Sequence, residues 1–94
     1  MARAEWRGSV LAQSDGYELV EGNVYFPPES VRREFLRDSQ TTSDCPWKGR
    51  AKYHDVVVEG EVNKDAAWHY PNPKPAAAMI KGYVAFGGGI DVLR

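Results

Sequence analysis

The chain has 94 residues, of which 43% are hydrophobic, and this length suits one small folded domain over residues 1–94 but not two. A net charge of -1 argues against a nucleic-acid-binding protein, since such proteins usually carry a strongly basic face. No apolar run approaches the roughly 20 residues of a membrane span, and the first residues lack a secretory signal, so a cytoplasmic protein with no membrane partner is expected.

Cysteine and histidine are scarce. Cys45 is the only cysteine, which excludes an internal disulfide. A structural zinc site takes about four ligands, usually Cys and His. Besides Cys45 the chain offers only His54 and His69. The sequence therefore predicts no metal and no cofactor.

Two-residue alternation between frequent turn residues predicts a mostly β fold. In chain order, a strand over residues 10–12 is expected to form a hairpin with residues 17–20 across the turn at 14–16. A third strand covers residues 24–26 and ends at Pro27, because proline has no N–H to donate.

Two short helices are expected. The first begins at Pro28 and places Val31, Phe35 and Leu36 on one face at helical spacing, and the second covers residues 76–80.

The remaining segments read as one loop and several strands. Polar residues 38–44 are expected to form a loop, before a long strand over residues 51–58 and a short one over residues 67–70. A final hairpin joins residues 83–86 to residues 90–93. Together these elements predict a small curled sheet or partly open barrel with two short helices.

Four blocks of sequence resemble a known family. They are residues 20–27 (VEGNVYFP), 45–53 (CPWKGRAKY), 67–71 (AWHYP) and 80–86 (IKGYVAF). In this order they resemble the small bacterial domain-of-unknown-function family numbered 427, over nearly the whole chain. The resemblance implies a compact β fold of the β-tent type, similar in shape to methionine-R-sulfoxide reductases. The family has a nucleotidyltransferase-like name but no established activity. This chain departs from it at His54 and Gly87, where members usually have aromatic residues.

Cys45 is a candidate nucleophile, because a nearby positive charge from Lys48, Arg50 or His54 would favour its thiolate. The alternative is a small buried side chain that fixes a turn before a proline.

Lys48, Arg50 and Lys52 recur at two-residue spacing, which in an extended chain puts them on one face. They could bind a phosphate or another anion beside Trp47. The alternative is the solvated face of a half-buried strand.

Aromatic residues are concentrated at positions 68–70. Alternation places Trp68 and Tyr70 on one face, where they line a ligand cleft or belong to the core. It places His69 on the opposite face, where solvent exposure is expected.

Neither a phosphate loop nor a nucleotidyltransferase site is indicated. The glycines at 87–89 lack the following helix and lysine of a phosphate loop and predict a turn. Nucleotidyl transfer needs clustered carboxylates to hold metal ions, and the nearest pair, Glu59 and Glu61, straddles a turn.

Two functional hypotheses from different classes remain. The first is a small-ligand binding domain, or an enzyme of unidentified reaction, for which a small anion is one candidate ligand. Its site would comprise the candidate residues Cys45, Lys48, Arg50, Tyr53, Trp68 and Tyr70, with segments 45–53 and 68–70 adjacent in space. The alternative is a non-catalytic protein-interaction module. A concave pocket with converging polar groups would favour the first hypothesis.

Overall fold

Nine β-strands and three short 3-10 segments form the protein in the computed structural model, which describes residues Met1–Arg94. The strands are β1 Ala2–Trp6, β2 Ser9–Ser14, β3 Glu18–Val20, β4 Asn23–Tyr25, β5 Leu36–Cys45, β6 Gly49–Val58, β7 Glu61–His69, β8 Val84–Phe86 and β9 Asp91–Leu93. The 3-10 segments are Pro28–Ser30, Arg33–Phe35 and Pro75–Ile80. The predicted mostly β fold is confirmed, and none of the helical segments has the length or apolar character needed to cross a bilayer.

Three antiparallel sheets are present and do not close into a barrel. Their strand orders are β2-β1-β9, β3-β4 and β5-β6-β7-β8. The second sheet joins the third where Phe26 and Val84 exchange two backbone hydrogen bonds of 2.8 and 2.9 Å. The third sheet, with its long strands β5, β6 and β7, forms the centre of the fold.

The larger hydrophobic cluster draws residues from all three sheets. Phe26 and Phe86 meet edge to face at 5.7 Å between ring centroids. Ala2 and Ala4 of β1 are fully buried against this cluster, because their small side chains allow the sheets to approach closely. Strand β1 was not predicted, since alanine has little preference for strands and only burial decides the conformation here.

A smaller cluster covers the other face of the third sheet. Across β7 and β8, Ala67 pairs with Phe86 and contributes to the larger cluster, whereas the next pair, Trp68 and Ala85, belongs to the smaller one. Ile80, from the last 3-10 segment, is fully buried there. The sheet is therefore packed on both faces at this point.

The two predicted helices are 3-10 segments. The predicted face of Val31, Phe35 and Leu36 does not form, because the backbone leaves helical geometry at Val31, which bridges Ala12 of β2. The edge of β2 thus supplies a backbone partner, and this outweighs a single isolated helical turn.

Strand pairing differs from the two predicted hairpins. Residues 10–12 pair with β1 rather than with residues 17–20, which pair with β4. Strand β8 pairs with β7, and β9 pairs with β1 in a different sheet. Both errors have one cause: turn residues indicate where a strand ends but not which strand lies beside it.

The predicted loop at 38–44 is part of strand β5. Its side chains are mostly exposed on both faces, as an edge strand permits, so the polar sequence carried no strand signal. Strand β7 likewise begins at Glu61 instead of residue 67.

Candidate functional site

Two bulges shape the third sheet. Between the pairs Val56–Asn63 and His54–Ala67, β6 has one residue and β7 has three. Between Asp38–His54 and Thr42–Lys52, β5 also has three residues against one in β6. Each bulge therefore shifts the register by two residues and strengthens the local curl of the sheet.

A polar network links the two bulges across β6. The buried Asp55 carboxylate accepts the backbone N–H of Asp65 at 2.9 Å and pairs with Arg37 at 3.2 Å. Asp65 in turn accepts hydrogen bonds from the hydroxyls of Ser39 and Thr41, at 2.6 and 2.8 Å. Asp65 has a positive φ of 55°, a strained conformation that these contacts maintain.

The shifted registers bring together three side chains, called here the Asp–His–His row: Asp38, His54 and His69. His54 Nδ1 lies 3.1 Å from Asp38 Oδ1, and His54 Nε2 lies 2.8 Å from His69 Nδ1. The imidazole planes are within 19° and their centroids 4.9 Å apart, as expected for two rings joined edge to edge. Residues from three neighbouring strands thus form one continuous chain of hydrogen bonds.

The environment of the row favours neutral imidazoles. Burial lowers the pKa of His54 below its usual range, although the neighbouring carboxylate of Asp38 opposes this. Burial also lowers the pKa of His69, and the adjacent His54 lowers it further. Both rings are consequently uncharged near neutral pH, each with one donor and one acceptor nitrogen.

The row lines a cavity of about 440 Å³, called here the histidine cavity. Its walls also include Lys52 and Tyr53. Lys52 forms no ion pair within the protein, and neither does Arg33, whose charge acts on both imidazoles. The wall contains one carboxylate, Asp38, which is hydrogen-bonded to His54, and one ammonium group, Lys52, which is left free to attract a small anionic ligand.

No group of three or more His, Cys, Asp or Glu side chains has the arrangement of a metal site. The imidazoles of the histidine cavity supply hydrogen bonding and proton transfer, and Lys52 supplies charge attraction.

Cys45 closes the hairpin between β5 and β6, where it pairs with Gly49. It is half-buried and packs against the smaller hydrophobic cluster. The cations expected to activate it have other partners, because Arg50 binds Asp44 at 2.9 Å and Lys48 binds Glu21. Cys45 and Arg50 share a shallow groove with Lys74, separate from the histidine cavity.

Lys48 does not share a face with Arg50 and Lys52, contrary to the prediction. It lies in the turn before β6, so strand alternation does not set its direction, and its side chain is buried. Its Nζ contacts Glu21 and lies 5.6 Å from the ring centroid of Tyr70. Burial alone would lower the pKa of Lys48, but the hydrogen bond to Glu21 and nearby negative charge outweigh it, and the pKa is raised.

The predicted aromatic residues lie beside the β6 segment, as expected. Tyr53 and Trp68 are cross-strand partners with ring centroids 6.0 Å apart. Trp68 donates its indole N–H to the hydroxyl of Tyr25 at 3.2 Å, and Tyr70 packs on Tyr25 in the smaller cluster. Of the six candidate residues, only Tyr53 lines the histidine cavity.

The Asp–His–His row was missed by reasoning from the sequence. The signal was partial: alternation puts Lys52 and His54 on one strand face, and His69 on the face opposite Trp68. An uninterrupted hairpin continuing from the pair Val58–Glu61 would place His54 opposite Asp65. Only the bulge in β7 moves His69 next to His54.

Residues 1–93 match the family described as a domain of unknown function, DUF427. The chain therefore belongs to this family, which confirms the resemblance in its sequence. No curated protein matches the chain significantly. The family description assigns no activity.

Proposed function

We propose that this domain binds a small anionic ligand in the histidine cavity. The observation that carries the proposal is the hydrogen-bonded pair of His54 and His69 in the cavity wall, at 2.8 Å, beside the unpaired cation Lys52. Removing an imidazole from water lowers stability unless its nitrogen atoms find hydrogen-bond partners. The placement of two such rings in a concave wall therefore indicates a binding role.

The ligand contacts follow from the charges around the cavity. Lys52, on the exposed side of β6, attracts the negative charge of the ligand, and Arg33 adds to the field. His69 Nε2 makes no hydrogen bond within the protein and offers an acceptor to the ligand. The hydroxyl of Thr42 completes a wall that can donate to ligand oxygens, whereas the hydroxyl of Ser39 is engaged by Asp65.

A reaction in this cavity would use the imidazoles for proton transfer. A neutral His with a lowered pKa is suited to general base catalysis, which would make the domain an enzyme. A cytoplasmic location fits the free Cys45, because thiols stay reduced there.

Isothermal titration calorimetry tests the proposal. The probes are inorganic phosphate, sulfate and short mono- and dicarboxylates, at pH 7 and low salt. Wild-type protein should bind at least one of them. Lys52→Gln should weaken that binding about tenfold, the effect of losing one charge-assisted hydrogen bond.

The matched control is Lys81→Gln, which removes another exposed lysine outside the cavity. It should bind like the wild type. If no probe binds, or if both variants weaken binding equally, the proposed site is wrong and the protein-interaction module becomes the better hypothesis.

A further inference from the structure

We propose that Asp38, His54 and His69 form a proton relay, so that the ligand of the histidine cavity is an anion carrying a dissociable O–H or N–H group. This inference rests on the proposed function and specifies its ligand class. Dihydrogen phosphate, which loses a proton near neutral pH, and similar acidic anions meet the requirement, whereas fully deprotonated anions such as sulfate do not.

The direction of every hydrogen bond in the row follows from its carboxylate end. An ionised Asp38 can only accept, so His54 Nδ1 carries the proton at the 3.1 Å contact. In a neutral ring His54 Nε2 is then an acceptor, and His69 Nδ1 must donate across the 2.8 Å contact. His69 Nε2 is left with a free lone pair and no partner in the protein.

Proton transfer through the row conserves atoms and charge. The ligand O–H or N–H bond breaks and a bond forms between its proton and His69 Nε2. The Nδ1–H bond of His69 breaks as a bond forms to His54 Nε2. His69 is neutral again, the positive charge rests on His54 beside Asp38, and the ligand has gained one negative charge.

Charged groups around the row explain why transfer needs the ligand. Asp38 of β5 and Asp55 of β6 favour an imidazolium, whereas Arg33 and Lys52 oppose it. Burial opposes it as well, and the pKa of both histidines is lowered. When a bound acid loses its proton, the new negative charge beside Lys52 compensates the charge on the row, so proton and ligand stabilise each other.

The relay is tested first without a ligand, by nitrogen-15 NMR of the two imidazoles at pH 8. In the wild type both rings should carry the proton on Nδ1. Asp38→Ala removes an almost fully exposed side chain, 96% accessible, so the fold should persist. In this variant the rings should no longer be fixed in the Nδ1–H tautomer. Asp44→Ala, on the same strand, should leave the tautomer unchanged. An Nε2–H tautomer on either ring of the wild type overturns the relay.

Phosphate then tests the ligand class. At pH 7 its addition should protonate His54 and leave His69 neutral, and His69→Gln should weaken phosphate binding about tenfold. Phosphate binding without a change in imidazole protonation overturns the relay and leaves the anion site standing. If phosphate fails to bind while sulfate or another probe without a dissociable proton does bind, the proposed class of ligand, an anion with a dissociable proton, is wrong. Failure of every probe overturns the anion site itself.

Discussion

The buried carboxylate of Asp55 accepts the backbone N–H of Asp65 at 2.9 Å, across the point where β6 and β7 change register. Because this N–H belongs to the bulge, no partner in a regular ladder would satisfy it. The hydrogen bond lowers the pKa of Asp55, so the carboxylate stays charged and holds the bulge at neutral pH. The juxtaposition of His54 and His69 depends on this bulge.

Asp55→Ala should lower the free energy of unfolding by about 2 kcal/mol, since it removes a charged acceptor and leaves a backbone N–H without its partner. Urea denaturation measures this. The NMR contacts between the rings of His54 and His69 should weaken in the same variant. Asp44→Ala, which removes an exposed ion pair with Arg50, should change stability by less than about 0.5 kcal/mol. Equal effects of the two substitutions would show that Asp55 does not hold the bulge.

Lys48 and Arg50 should differ although each forms one ion pair. Lys48→Ala should destabilise by about 2 kcal/mol, because it removes buried packing against Tyr70 and leaves Glu21 unpaired. Arg50→Ala should cost much less than Lys48→Ala, since the pair of Arg50 with Asp44 is exposed and screened by solvent. Thermal and urea denaturation of both variants provide the comparison. A small effect at Lys48 would mean that it is only a solvated turn residue.

Stability should fall as the pH drops from 7 to 5. The pKa values of His54 and His69 are lowered in the folded state, mainly by burial, so the unfolded chain binds more protons in this range. These are the only two histidines, so the effect can be assigned to them. Denaturation at a series of pH values measures it, and the carboxylates of Asp55 and Asp65, whose pKa values are lowered, should add a second loss below about pH 4.

Asp38→Ala provides the check on this assignment. Asp38 raises the pKa of His54 by its charge and hydrogen bond, so its removal should make the loss between pH 7 and 5 steeper. Unchanged stability across that interval in both proteins would contradict the burial of neutral imidazoles.

Substitutions at two neighbouring glycines distinguish the effect of steric crowding from the effect of backbone strain. Gly88 and Gly89 both have positive φ, 62° and 83°, which costs an alanine about 1 kcal/mol at either position. A Cβ at Gly88 would lie 3.0 Å from Asn63 Oδ1 and 3.1 Å from Ala66 Cβ, whereas one at Gly89 would meet open space. Gly88→Ala should therefore destabilise more than Gly89→Ala in urea denaturation. Equal losses would show that only φ matters in this segment.

Local pattern determined part of the strand content of this protein, but not β1 or most of β5. Alternation and turn residues located β3, β4, β6 and β8, because the two-residue period and the conformational needs of a turn are properties of neighbouring residues. The family resemblance also lay in the sequence, in four short blocks that the family match over residues 1–93 bears out. Burial of Ala2 and Ala4, by contrast, depends on the sheets that surround them.

Only the tertiary structure decided the register of the third sheet, and with it the candidate site. Asp38, His54 and His69 lie on three strands, and their contact requires two bulges that are maintained by Asp55 and Asp65. No local propensity encodes a bulge whose stabilising carboxylate lies on the neighbouring strand. The residues that look distinctive in the sequence, Cys45 and Lys48 among them, form a turn that packs on the core. The histidines, which look ordinary there, line the cavity because strand pairing between distant segments brings them together.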